Sequence, residues 1–198
     1  AYYTLLKQGT KLRNLPEILC CSAEFRKMNE YRSEDKENIS EIMGKMQNSK
    51  LMERPLYDKN TNILKGNLLL HTHLYRMTEQ LSPALQKDLK NMLQKSPEYI
   101  DTMVEIARQR NWLETSLQII RFSQCMKQGL FRNADPLKQI PHLSDEDIKN
   151  IAKESNNKST VLKTFLEAPD DEKKGLNNLT SDQRQDVLKT CSILPCRK

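Results

Sequence analysis

The chain has 198 residues and a net charge of +6, from 32 Lys plus Arg against 26 Asp plus Glu. Only 5 glycines are present, while Leu, Met, Lys, Gln and Glu are abundant, which points to an all-α protein of one or two domains with a core of its own. No apolar run approaches the ~20 residues of a membrane-spanning helix, no signal peptide is visible, and so mild a charge is more often that of a mixed surface than of a nucleic-acid binder.

The first region, from Ala1 to about Glu30, reads as helix, with Leu15, Ile18, Leu19, Ser22 and Phe25 on one side. A second helix starts in "YRSEDKENISEIMGKM", with Ile39, Ile42, Met43 and Met46 as its stripe and Gly44 as a weak point. "NSKLMERPLYDKNTN" is polar and reads as a connection. "ILKGNLLLHTHLYRM" then has one row of Leu64, Leu68, His71 and Tyr75 and another of Leu70, Leu74 and Met77. A helix apolar on several sides belongs at the centre.

Ser82 and Pro83 open the next helix as N-cap and first residue, with Leu85, Leu89, Met92 and Leu93 as its buried stripe. Ser96 and Pro97 repeat the device, so a further helix is expected to start there and to carry Tyr99, Ile100, Met103, Val104, Ile106 and Ala107. "NWLETSLQIIRFSQCMKQGL" has two stripes: Leu113, Leu117 and Ile120, and Trp112, Ile119, Phe122 and Met126. It is expected to cross the centre of the bundle and to end at Gly129.

After Phe131 the helices become short. Ser144 with Asp147 resembles a capping box that opens a helix from about Asp145 to Lys153. "NNKST" breaks it, "TVLKTFLEA" is a short helix stopped near Pro169, and "DDEKKGLNN" offers one more turn. Thr180 with Gln183 opens a last helix that Pro195 ends. Residues 136–198 therefore read as a small four-helix satellite unit.

Catalytic signals are absent: no phosphate-binding G-x-x-x-x-G-K-[ST], no G-x-S-x-G and no H-E-x-x-H. His71 and His73 are two residues apart, which on a helix points them to nearly opposite sides, so they cannot share one metal ion unless the helix breaks there. His71 is expected to pack and bond locally, and His73 to face another helix or water. Trp112 reads as core packing rather than a partner anchor. The five cysteines, Cys20, Cys21, Cys125, Cys191 and Cys196, are odd in number and contain no C-x-x-C. They read as thiols of a reduced compartment, most of them small core residues. No cofactor or metal is expected.

The stretch "DPLKQIPHLSDEDIKNI" reads as a hairpin between helices, a shape that elsewhere often grips a nucleic-acid phosphate. That grip needs glycine, whose missing Cβ lets the phosphate reach the backbone N–H groups. Here the turn is Pro141, His142, Leu143 and Ser144. Residues 136–198 hold 11 Lys plus Arg and 10 Asp plus Glu, a net of 11 − 10 = +1, which is little charge for phosphate binding. The acidic run Asp145, Glu146 and Asp147 suits a helix N-terminus.

"SQCMKQGLFRNADPLKQIPHL" resembles the signature of the Sec-sixty-three domain, which it matches at Ser123, Gln124, Gln128, Gly129, Leu130, Pro136, Leu137, Gln139, Pro141 and His142. "LLLHTHLYRM" is similar to the family's L-L-L-x-x-H-L-x-R segment at Leu68, Leu69, Leu70, His73, Leu74 and Arg76. "RNWL" and "SAEF" fit as well. The resemblance implies a helical bundle over 1–135 and a helix-hairpin-helix-like unit over 136–198, with the family's β-sandwich following beyond this chain. Without an initiator Met, the chain reads as a piece of a longer protein.

The domain occurs in two settings. One is a J-domain-bearing translocation protein of the endoplasmic reticulum, and the other is a set of large RNA and DNA helicases. "SQCMKQGL", "DPLKQIPH" and "QLSPALQKDL" resemble the first more closely. That setting implies a non-enzymatic, scaffold-like fragment on the cytosolic side of the endoplasmic-reticulum membrane. Its partners would be other Sec translocon subunits, with the lumenal Hsp70 reached only through a J domain outside this chain. It implies no nucleic-acid partner and no membrane insertion by the fragment. The helicase setting implies contact with RNA or DNA.

Overall fold

Glycine, proline and serine break the first thirty residues, expected as one helix, into three. The computed structural model describes all residues except 50, 53–54, 57–58, 132–133, 155–160, 171–172, 174–175, 177–178 and 195–198. Helix α1 covers Tyr2–Leu5, and Gly9 turns the chain after it at φ 79°, a conformation that Cβ-bearing residues disfavour. A 3-10 turn over Leu12–Asn14 leads into α2, Leu15–Cys20, with Pro16 in its first turn. Ser22 Oγ accepts a hydrogen bond from Phe25 N–H at 3.1 Å and starts α3, Ala23–Met28. The apolar side was legible all the same: Leu15, Ile18, Leu19, Ser22 and Phe25 are all buried.

Helix α4, Lys36–Asn48, buries Ile39, Ile42 and Met46 and half-buries Met43. Gly44 does not interrupt it. The connection after it buries Met52 and ends at Asn60, whose side chain accepts from Ile63 N–H and caps α5, Thr61–Leu74. This helix is central, as expected. It packs against α2, α3, α4 and the two helices that follow, α6 (Pro83–Gln109) and α7 (Leu113–Gln128), and is buried from Lys65 to Thr72.

The expected break at Ser96–Pro97 does not occur. Helix α6 runs unbroken over Pro83–Gln109, with Ser82 as its N-cap and Pro97 inside. Pro97 has no N–H for the carbonyl of Leu93 four residues back. Ser96 Oγ donates to that same carbonyl at 3.0 Å, and Ser96 is itself buried. The serine that resembles a cap instead repairs the helix. Ser96→Ala is expected to cost about 1–2 kcal/mol, because the carbonyl loses this partner. Ser96→Ala/Pro97→Ala is expected to recover it, since residue 97 then supplies the N–H. Urea midpoints followed by circular dichroism check both.

Helix α7, Leu113–Gln128, ends at Gly129 in the left-handed conformation. One of its stripes is buried as expected, through Ile119, Phe122 and Met126, with Trp112 half-buried. The other is not: Leu113 is 72% exposed and Leu117 and Ile120 are each 43% exposed. The helix therefore lies on the bundle surface rather than crossing its centre.

By internal contacts the chain falls into two compact units, Ala1–Arg132 and Asn133–Lys198. Among its described residues the second has a 3-10 turn, Pro136–Gln139, and three α-helices: α8, Asp145–Glu154; α9, Val161–Glu167; and α10, Ser181–Ile193. Its core is Leu137, Ile140, Ile148, Phe165, Leu176 and Val187, with Leu143 and Ile151 packed at its edge. Both capping boxes form, Ser144 with Asp147 and Thr180 with Gln183. "NNKST", most of "DDEKKGLNN" and Pro195 lie outside the described residues. Strands are absent among the described residues.

Candidate functional site

The two sequence segments that carry the family resemblance meet in space. His73, on the last turn of α5, bonds through Nε2 to the carbonyl of Met126 on α7 at 2.8 Å. Arg76 donates to the carbonyl of Gln128 at 3.3 Å, and Phe131 N–H to that of Leu74 at 3.2 Å. A Cβ on Gly129 would lie 3.2 Å from the His73 ring, so glycine provides both the left-handed turn and the space. His71 bonds its Nδ1 to the Asn67 carbonyl at 2.9 Å, and its ring packs with Tyr75 and Phe131. Burial lowers the pKa of both histidines below the usual value, which favours the neutral rings near pH 7.

Among the signature residues, Ser123 is half-buried on α7, and Gln124 and Gln128 are exposed. Asp135 Oδ1 caps the 3-10 turn by accepting from Leu137 N–H at 2.9 Å. Pro136 opens that turn at the surface, Leu137 is fully buried, and Gln139 is half-buried. Pro141 and His142 then turn the chain, with His142 at φ 64°. The His142 ring meets Asp186 Oδ2 on α10 at 3.1 Å. Ser144 N–H donates to Asp147 Oδ2 at 3.0 Å. Carboxylates thus hold the hairpin, and one of them already occupies a backbone donor of the turn.

A buried ionic cluster lay outside the sequence reading. Lys65 is fully buried on α5, and its ammonium group bonds Asp35 Oδ2 at 2.7 Å, Asp88 Oδ2 at 2.8 Å and the Glu30 carbonyl at 2.9 Å. Arg32 binds the same two carboxylates. Two cations and two anions balance across α5, α6 and the start of α4. Burial alone would raise the Asp35 carboxyl, but hydrogen bonds from Arg32 and Lys65 outweigh it and hold the carboxyl below its usual value. The signal in the sequence was a lysine inside "ILKGNLLL", on a helix with apolar residues on several sides.

Nothing in these arrangements provides a nucleophile. Cys20 and Cys21 are buried and adjacent, and burial raises both thiols, Cys21 to about 11, so neither is a thiolate near pH 7. Among the described residues no group of three or more His, Cys, Asp or Glu could hold a metal ion. What α7 does offer is surface: its exposed apolar row, with Arg110 just before it stacked over the rings of Tyr3 and Trp112 at 3.9 and 4.8 Å.

The model of one protein family, described as the Sec63 Brl domain, matches residues 1–187. Among curated proteins, the U5 small nuclear ribonucleoprotein 200 kDa helicase of Homo sapiens is 31% identical over 195 residues, covering 96% of this chain and 8% of the helicase. The DnaJ protein ERDJ2A of Arabidopsis thaliana is 24% identical over 220 residues, covering 98% of this chain and 32% of that protein. The DExH-box ATP-dependent RNA helicase DExH12 of the same plant is 24% identical over 195 residues, covering 98% of this chain and 9% of its own length. The chain thus spans under a tenth of the helicases and about a third of the DnaJ protein.

Proposed function

From the premise that the chain belongs to the Sec63 Brl domain family, we propose that it is a non-enzymatic scaffold of the endoplasmic-reticulum Sec translocation machinery. It would lie on the cytosolic side of the membrane and contact other translocon subunits during post-translational import. A lumenal Hsp70 would be engaged only by a J domain elsewhere in the whole protein.

The observation that supports this reading over nucleic-acid binding is the hairpin. Its turn contains no glycine, Ser144 N–H is taken by Asp147, and His142 faces Asp186. A phosphate approaching this turn would meet two carboxylates, a repulsive arrangement. In the bundle, the positive charges of Arg32 and Lys65 are neutralised by Asp35 and Asp88, and Arg108 is paired with Glu105.

One observation favours a second reading, an accessory domain of an RNA or DNA helicase: the human helicase shares 31% identity against 24% for ERDJ2A. Two measurements separate the readings. Tagged chain added to detergent-solubilised endoplasmic-reticulum membranes is expected to recover Sec channel subunits. In filter binding, single-stranded RNA is expected to show no salt-dependent retention between low and moderate salt. Binding that weakens steeply as salt rises would overturn the scaffold reading and support the helicase one.

A further inference from the structure

The exposed row on α7 has the form of a coiled-coil seam. Leu113, Leu117, Ile120 and Gln124 follow one another at spacings of four, three and four residues, the alternation that keeps one stripe facing a partner helix. Leu113 is 72% exposed, Leu117 and Ile120 each 43%, and the helix is 16 residues long, which gives the seam two heptads. The residues beside it decide what fits. Directly after Leu113 and Ile120, on one flank, stand Glu114 and Arg121, seven residues apart. On the other flank stand Ser116 and Ser123, also seven apart.

We propose that this face pairs with the same face of a second copy of the chain, helix against helix and antiparallel. In an antiparallel pair about a two-fold axis between Leu117 and Ile120, each flank meets its own counterpart. Glu114 of each copy then faces Arg121 of the other, giving two unlike-charge pairs. Ser116 faces Ser123, two small side chains that let the backbones approach. A parallel pair would instead set the charged flank against the serine flank and gain neither ion pair. The charge pattern is thus self-complementary in one orientation only, and the apolar row lies where that orientation buries it. With two heptads the contact falls among small, transient interfaces, so the dimer is weak and concentration-dependent.

Sedimentation velocity on the 198-residue chain, from about 1 μM to about 500 μM, is expected to show a monomer passing into a dimer. Leu117→Glu is expected to abolish the dimer while leaving the circular dichroism spectrum and melting temperature unchanged, since Leu117 lies at the surface. Glu114→Arg or Arg121→Glu alone places like charges together twice in the dimer, and each is expected to weaken it at least ~10-fold. The double variant Glu114→Arg/Arg121→Glu is expected to restore self-association, and a mixture of the two single variants to form a heterodimer. A monomer at every concentration overturns the proposal. So does a dimer that the single reversals leave unchanged, or one that the mixture and the double variant fail to recover. Binding of an acidic helical peptide to a wild-type chain that stays monomeric would overturn it too, by giving the face another occupant.

Discussion

Lys65→Met is expected to destabilise the first unit by about 3–5 kcal/mol, the cost of removing one partner from a buried ion pair. The methionine fills much of the same volume, so the loss is chiefly electrostatic. Asp35 and Asp88, at 3% and 15% side-chain exposure, would then share the single charge of Arg32. One buried negative charge is left uncompensated, and the Glu30 carbonyl loses its donor. Adding Asp35→Asn to Lys65→Met rebalances the charge and is expected to recover more than half of the loss. Urea unfolding followed at the helical band checks the set.

The same cluster sets a pH dependence of definite sign. The Asp35 carboxyl is held below its ordinary value of 3.8. Its contribution to stability is therefore complete above that value and is lost as pH falls through the lower folded-state value. Without Lys65, burial meets less opposition and the Asp35 carboxyl rises, so protonation costs the variant less. The stability gap between wild type and Lys65→Met is expected to be widest near pH 7 and to narrow below about pH 4. A gap of constant width down to about pH 3 would mean that the loss is one of packing rather than charge.

How far the sequence spoke depended on what each pattern encodes. The central place of α5 was legible because apolar residues stand on several of its sides. The second unit's caps were legible because Ser144–Asp147 and Thr180–Gln183 act locally, within one turn. The Ser96–Pro97 pair misled because the same two residues start a helix when the chain arrives extended and repair one when it arrives helical. Periodicity placed Leu113, Leu117 and Ile120 on one row, yet it carries no information on whether another helix covers that row. Apolar rows carry no information about Lys65, the polar residue between them. Its role depends on Asp35 and Asp88, which are 30 and 23 positions away and meet it only through the fold.

Gly66→Ala and Gly44→Ala are expected to act in opposite directions, although both place alanine in a helix in place of glycine. Propensity alone favours alanine by about 1 kcal/mol at either site. At Gly44, on α4, a Cβ would meet nothing within 4 Å, so that gain is free to appear. At Gly66, on α5, a Cβ would lie 2.7 Å from Asn29 Nδ2 and 3.0 Å from Cys20 Sγ. Neither neighbour yields easily. Asn29 is fully buried and its Nδ2 donates to the Phe25 carbonyl at 2.8 Å, and Cys20 is fully buried on α2. Gly66 is therefore where α5 lets α2 and α3 approach closely. Filling that space is expected to cost about 2–3 kcal/mol net, the range of overpacked cores, and to lower the melting temperature, whereas Gly44→Ala raises it. Adding Asn29→Ala to Gly66→Ala removes the nearer contact, so the double variant is expected to lose less than the two single changes combined. Strict additivity would mean that the methyl group is accommodated elsewhere and that this approach is not set by Asn29.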